Sequence, residues 1–83
     1  MQLREDVSLV DTDYGKVLLD GSTGEYWELN PTGSLVLTGL LAGRPAGEVA
    51  ATLCAAFDVD GDRATADVTA LLSALRDARL VRP

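Results

Sequence analysis

The fold is decided by residues 21–31, Gly-Ser-Thr-Gly-Glu-Tyr-Trp-Glu-Leu-Asn-Pro, where one kind of sequence pattern gives way to another. Residues 21–24 predict a hairpin connection, because two glycines are available for positive φ. Residues 25–29 predict a strand, since aromatic side chains favour sheet. Asn30 is a good helix N-cap, and Pro31 suits the first helical position. The chain is therefore expected to change from sheet to helix near residue 30.

Working outward toward the N-terminus, two more strands are predicted. Residues 3–11 mix apolar and polar side chains in the way of a half-buried strand, and residues 16–20 form a second short strand. Residues 13–15, Asp-Tyr-Gly, predict the turn between them. Three consecutive strands joined by short turns predict an antiparallel meander.

Working outward toward the C-terminus, three helices are predicted. The first runs from Pro31 to a stop at Gly43, and the second opens at Pro45 and is broken at residues 58–61. The third is longer and is followed by a short extended tail at residues 80–81. Its apolar positions recur at helical spacing at Ala64, Val68, Leu71, Leu75 and Ala78. Strands and helices are segregated, so the predicted class is α+β, winged helix-turn-helix-like, with a three-stranded antiparallel β-meander followed by three helices.

Composition restricts the functions that are open to this chain. Its 83 residues predict one domain spanning 1–83, too small for a large internal cavity. It has no histidine and one cysteine, so the usual general base and the usual metal-ligand sets are missing. Residues 58–62, Asp-Val-Asp-Gly-Asp, lack the glycine and glutamate spacing of a calcium loop and are expected to cap the third helix. We therefore expect a non-enzyme without a metal site.

Charge and hydropathy give expectations about partners and location. The chain carries 13 acidic and 7 basic residues, for a net charge of −6, which disfavours a nucleic-acid phosphate backbone. The first turns of the third helix hold Asp62, Arg63 and Asp67, which would read a major groove poorly. No apolar run is long enough for a membrane span or a secretory signal, so a cytoplasmic location is expected.

Two alternative functions stay open on the residues alone. Residues 33–35, Gly-Ser-Leu, are similar to the attachment site of an acidic carrier protein, which would place a phosphopantetheine arm on Ser34. The other alternative is a winged-helix regulator that binds DNA. Against the carrier-protein alternative stands a simpler interpretation, in which Ser34 is an ordinary serine in the first turns of a helix.

The third strand is the most informative part of the sequence for binding. Trp27 and Leu29 are expected to face the core, with Tyr26 and Glu28 on the opposite face, because side chains alternate along a strand. This strand could lie at the sheet edge, where unpaired main-chain groups can accept another strand. The plainer interpretation is a solvated face with one exposed tyrosine.

The third helix could form the wall of a groove beside that edge. Core packing alone accounts for Val68, Leu71 and Leu75. Leu72 lies beside this series, and we expect it to face the groove.

Several stretches of the chain resemble those of PqqD-like proteins. The likeness runs from residues 17–20 through the Gly-aromatic-Leu-Asn segment at 21–33, then residues 57–59 at the end of the second helix, and residues 67–81. The family consists of recognition elements for precursor peptides that are made on the ribosome and then modified. A separate chain of this size is most similar to the leader-binding proteins of lasso-peptide pathways.

The resemblance implies a function and a set of partners. It implies that the chain binds a precursor leader peptide by β-strand addition and delivers it to a leader-cleaving cysteine protease, with the ring-closing cyclase as a further partner. It implies no catalytic residue, cofactor or metal of the chain's own. The residues expected to contact the peptide lie in the third strand and the third helix: Glu25, Tyr26, Trp27, Glu28, Leu29, Val68, Leu71, Leu72, Leu75 and Arg76.

Overall fold

The order of elements confirms the predicted α+β fold. The structure is a computed structural model that describes residues 1–82. Within these residues a three-stranded antiparallel sheet, a two-stranded ribbon and three helices are formed. In chain order the elements are β1 (Gln2–Leu3), β2 (Val7–Thr12), β3 (Gly15–Asp20), β4 (Tyr26–Leu29), α1 (Pro31–Leu41), α2 (Ala46–Phe57), α3 (Gly61–Asp77) and β5 (Val81–Arg82).

The three-stranded sheet is a meander in the order β2-β3-β4. Leu9 pairs with Leu18, and Leu18 with Trp27, so these three side chains lie on one face. Leu18 is fully buried, which identifies that face as the one toward the core. The predicted strands at 16–20 and 25–29 correspond to β3 and β4.

The turn between β3 and β4 is shaped by a buried carboxylate. Asp20 is 4% exposed, and its Oδ1 accepts hydrogen bonds from the main-chain nitrogen and the hydroxyl of Ser22, at 2.9 and 2.7 Å. These bonds stabilise the ionised form and hold the pKa of Asp20 below its usual value. Gly24 lies at φ 78°, a conformation that favours glycine, and its N–H donates to the Asp20 carbonyl. The turn thereby fixes where β4 begins.

The start of α1 agrees with the predicted cap. The Oδ1 of Asn30 accepts hydrogen bonds from the main-chain nitrogen of Gly33 at 2.8 Å and from the Thr32 hydroxyl at 2.9 Å. Pro31 takes the first helical position. Since Leu29 ends β4 and Asn30 caps α1, only one residue separates sheet from helix.

α3 lies between two clusters of buried side chains. We call the first the helical cluster, because its members come from the three helices, and the second the sheet cluster, because it includes side chains of the sheet. Leu71 on α3 packs against both of them. The helical cluster consists of Val36, Leu40, Val49, Ala50, Leu53, Ala64 and Val68, and the sheet cluster of Val7, Leu18, Leu37, Leu75 and Leu80.

The N-terminal strand differs from the prediction. Residues 3–11 were expected to form one strand, but residues 4–6 make a turn, and β1 pairs with β5 instead of extending β2. The Arg4 main-chain nitrogen donates to the Leu80 carbonyl at 3.0 Å, and Arg82 bonds Glu5 at 2.8 Å. This pairing joins the two ends of the described chain, so a local pattern could not predict it.

Candidate functional site

The outer edge of β4 offers main-chain hydrogen-bonding groups. The Asp20 main-chain nitrogen donates to the Glu25 carbonyl at 2.9 Å, which makes Asp20 and Glu25 a hydrogen-bonded pair. Such pairs alternate along antiparallel strands, so Trp27 and Leu29 also direct their main-chain groups toward β3. The N–H and C=O groups of Tyr26 and Glu28 therefore point to the free edge. Two residues with outward main chain provide up to two donors and two acceptors.

An apolar cleft of about 140 Å³ lies between β4 and α3. Its floor is the sheet cluster, and its outer wall is the exposed side of α3 at Ala74. Apart from Glu28, every residue that lines the cleft is apolar. The lining residues are Leu18, Trp27, Glu28, Leu29, Leu71, Ala74, Leu75 and Leu80.

The structure confirms the predicted alternation along β4. Trp27 and Leu29 are half-buried against the sheet cluster, and both line the cleft. Tyr26 is 63% exposed on the opposite face, and Glu28 is exposed there too. Glu25 precedes the strand, and its carbonyl is used by Asp20.

On α3 the predicted groove residue, Leu72, differs from the residues that line the cleft. Leu72 does not line the cleft, and it packs with Val68 against the helical cluster. A helix turns by about 100° per residue, so Leu71 and Leu75 share the side toward the sheet while Val68 and Leu72 share the side toward α2. Val68 is 2% exposed and belongs to the core.

Arg76, the last of the α3 residues that were expected to contact the peptide, also lies outside the cleft. It is exposed in the last turn of α3 and does not line the cavity. Ala74 was not predicted, although it lies three positions after Leu71 and could have been found from helical spacing. Leu18 and Leu80 were not predicted either, because they reach the cleft only through the tertiary fold.

The cleft is smaller than other cavities of residues 1–82. One of about 460 Å³ lies between the β2–β3 turn and the β4–α1 junction, and its lining includes Thr12, Lys16 and Asn30. It mixes polar and apolar groups. The cleft is the better candidate site because it combines an apolar lining with the free main-chain groups of Glu28, which it contains.

The environment of Ser34 disfavours the carrier-protein alternative. Its hydroxyl oxygen is buried and has no hydrogen-bond partner in the described part of the chain. A phosphopantetheine arm must be attached to an accessible hydroxyl, and this one is not accessible in the conformation of the structure.

The acidic residues do not form a metal site in the described part of the chain. Within residues 1–82, no three His, Cys, Asp or Glu side chains are grouped so as to hold a metal ion. In that same part of the chain, every helix is too short or too polar to cross a bilayer.

The fold defines the general class of this protein. The three-stranded meander and the helix-turn-helix pair α2–α3, joined by residues 58–60, make it a winged helix-turn-helix-like α+β domain. The model of one family, described as coenzyme PQQ synthesis protein D (PqqD), matches residues 15–81. The chain therefore belongs to the PqqD family. Among curated proteins, no significant match was found.

Two solved structures are closely similar over nearly the whole chain. "Lasso peptide synthetase B1 complexed with the leader peptide" has a TM-score of 0.91 and 40% identity, and the match covers 99% of this chain and 96% of that one. "TbiB1 in Complex with the TbiA(beta) Leader Peptide" has a TM-score of 0.84 and 30% identity, with 96% and 93% covered. Both similar proteins are complexes with a leader peptide.

Proposed function

We propose that this chain binds the leader segment of a ribosomally synthesised precursor peptide in lasso-peptide biosynthesis. The leader adds as a fourth strand on the free edge of β4 and inserts apolar side chains into the cleft. The observation that carries the proposal is the position of that edge beside an apolar cleft. The two similar solved structures support it, since both contain a leader peptide.

The free energies involved indicate that main-chain hydrogen bonds at the edge of β4 would bind the leader only weakly by themselves. Tyr26 and Glu28 offer at most four main-chain hydrogen bonds, each worth about 0.5–1.5 kcal/mol net. Association costs roughly 4–15 kcal/mol in lost translational and rotational freedom, and ordering the leader costs more. Burial of one large apolar side chain contributes about 1.5–3 kcal/mol. One or two apolar anchors in the cleft are therefore needed beside the hydrogen bonds.

After binding, the chain delivers the leader to a leader-cleaving cysteine protease and, with it, to the ring-closing cyclase. It performs no chemistry itself. An extended leader held at one edge leaves the rest of the precursor accessible to such enzymes. A test of delivery is leader cleavage by the protease with and without this chain; equal rates would contradict it.

DNA binding has less support than peptide binding. In the first turns of α3, Nε of Arg63 donates a hydrogen bond to Oδ1 of Asp67 at 3.2 Å. The positive charge of this arginine, which would have to contact DNA, is therefore paired with a carboxylate. The net charge of −6 also disfavours DNA binding, because it repels the phosphate backbone.

The decisive experiment for leader binding uses neighbouring positions on α3. Ala74 is exposed and lines the cleft, whereas Ser73 is exposed and does not line it. Ala74→Glu puts a charge into the apolar cleft, so we expect the affinity for the leader of the native precursor to fall at least about tenfold. Ser73→Glu should leave the affinity unchanged.

Titration calorimetry measures the affinity, and circular dichroism checks the fold of both variants. Equal affinity of the folded Ala74→Glu variant and the unmodified chain would overturn the proposed cleft.

A further inference from the structure

Glu28 occupies a special place at the proposed binding edge. Its main-chain groups point to the free edge, its side chain is exposed on the outer face of the sheet, and it is the one ionisable residue that lines the cleft. Any strand added to β4 must pass directly alongside it.

The carboxylate of Glu28 has no cationic partner among the residues that the structure describes. The ion pairs formed within residues 1–82 are Lys16–Asp11, Arg63–Asp67 and Arg82–Glu5. Lys16 borders the same larger cavity as Glu28, but its ammonium bonds Asp11. On its own face, Glu28 pairs across the sheet with Val17, which pairs with Val10, so its neighbours there are apolar. Among the described residues, Glu28 therefore has no ion pair that a cation from outside the chain would have to displace.

Strand geometry determines which peptide residue would meet Glu28. The peptide residue directly opposite points to the same face as Glu28, with its Cβ about 5.5 Å away or less. The residues before and after it point to the other face, which is the face of the cleft. A side chain that meets Glu28 is therefore flanked by the side chains that enter the cleft.

We propose that Glu28 selects a lysine or arginine in the leader, at the position next to an apolar anchor. This inference rests on the proposed function and specifies the chemistry of its substrate: a segment with the order apolar, basic, apolar. Residues 1–43, which include the whole sheet, hold seven acidic and two basic residues, so the wider field also favours a cationic peptide.

The expected size of the effect is modest. Cross-strand pairs of opposite charge contribute little at an exposed site, so loss of the carboxylate should weaken binding of a basic peptide about two- to fivefold. Most of that difference should disappear at high salt, because exposed charges are screened.

The probe is a library of random ten-residue peptides, selected against the full chain and then measured individually by calorimetry. Peptides bound in the cleft are those whose binding is lost with Ala74→Glu. We expect these peptides to be enriched in the order apolar, basic, apolar, and to bind Glu28→Gln about two- to fivefold more weakly. Selection against Glu28→Lys should instead enrich acidic residues at the central position.

The matched control is Glu48→Gln, which removes an acid that is also exposed, at the start of α2 and far along the chain from β4. It changes the net charge by the same amount and should not change the affinity. Cleft-dependent peptides without a basic preference, or an equal effect of the two variants, would overturn this inference and leave the proposed function standing. Absence of any cleft-dependent peptide would overturn both.

Discussion

The two sides of α3 differ in how completely they are covered. Toward α2, Ala64 and Val68 are 0% and 2% exposed and belong to the closed helical cluster. Toward the sheet, Leu75 is equally buried, but Leu71 is only half-buried and Ala74 is exposed, which leaves the cleft. One helix thus contributes to stability on one side and offers a binding surface on the other. Substitutions on the two sides should therefore separate stability from peptide affinity.

The largest effect is expected in the helical cluster. Leu53 is 1% exposed there, and Leu53→Ala should lower the free energy of unfolding by about 2–5 kcal/mol, because it leaves a cavity. Urea denaturation measures this loss. The affinity of the folded fraction for the leader should stay the same. Leu71→Ala is the comparison: it should cost less stability and weaken binding, and an opposite ranking of the two variants would show that the two sides are not separable.

The next largest effect is a loss of leader affinity, expected at the free edge of β4. Tyr26→Pro removes an outward N–H at the first position of β4, where proline is tolerated in a strand, and should weaken leader binding by about tenfold. Tyr26→Ala keeps the N–H and shows the contribution of the ring.

A proline on the opposite edge is the matched control. The main chain of Asp11 on β2 points away from β3 by the same alternation, so Asp11→Pro should bind the leader as Asp11→Ala does, which frees Lys16 in the same way. Calorimetry on these variants distinguishes the contributions, and similar affinities for Tyr26→Pro and Tyr26→Ala would argue against strand addition.

A smaller effect is expected at the junction of β4 and α1. Asn30→Ala removes the acceptor for Gly33 N–H, and loss of such a cap costs about 1 kcal/mol. Thermal unfolding should show the loss. Asn30→Asp, which retains an acceptor at the helix N-terminus, should restore the stability. If the aspartate variant were as unstable as the alanine variant, the cap would not be the cause.

The smallest effect is a change in stability that is confined to acidic pH. The folded-state pKa of Asp20 lies below its ordinary value of 3.8, so its ionised form stabilises the fold above that pH. This contribution is lost as the pH falls from about 3.8 through the lower folded-state pKa. Denaturant titrations from pH 6 to pH 2 should show a shallower acid loss of stability for Asp20→Asn than for the unmodified chain. Parallel curves would contradict the role of the two Ser22 hydrogen bonds.

The parts of the fold that local chemistry determines could be predicted from the sequence. The Asn30 cap, the glycine-containing turn and the alternation of Trp27 and Tyr26 each depend on a few adjacent residues. The β1–β5 ribbon depends on pairing between the two ends of the chain, for which two-residue strands leave no periodic pattern. Strand edge and helix wall were both anticipated as parts of the candidate site.

The rotation of α3 is what the sequence could not determine. Leu71 and Leu72 are chemically identical neighbours, and both are half-buried. Only the packing of α3 between α2 and the sheet directs Leu71 to the cleft and Leu72 to the helical cluster. An apolar series that is wide enough to serve two neighbours leaves this choice open.

Trp27 gives the site an intrinsic optical reporter. It is the one tryptophan of the chain, and it lies half-buried at the rim of the cleft. A ligand that covers it would remove water from the indole, so its fluorescence emission should shift to shorter wavelength when the cleft is filled. Occupancy can therefore be followed in dilute solution without attaching a dye to either molecule.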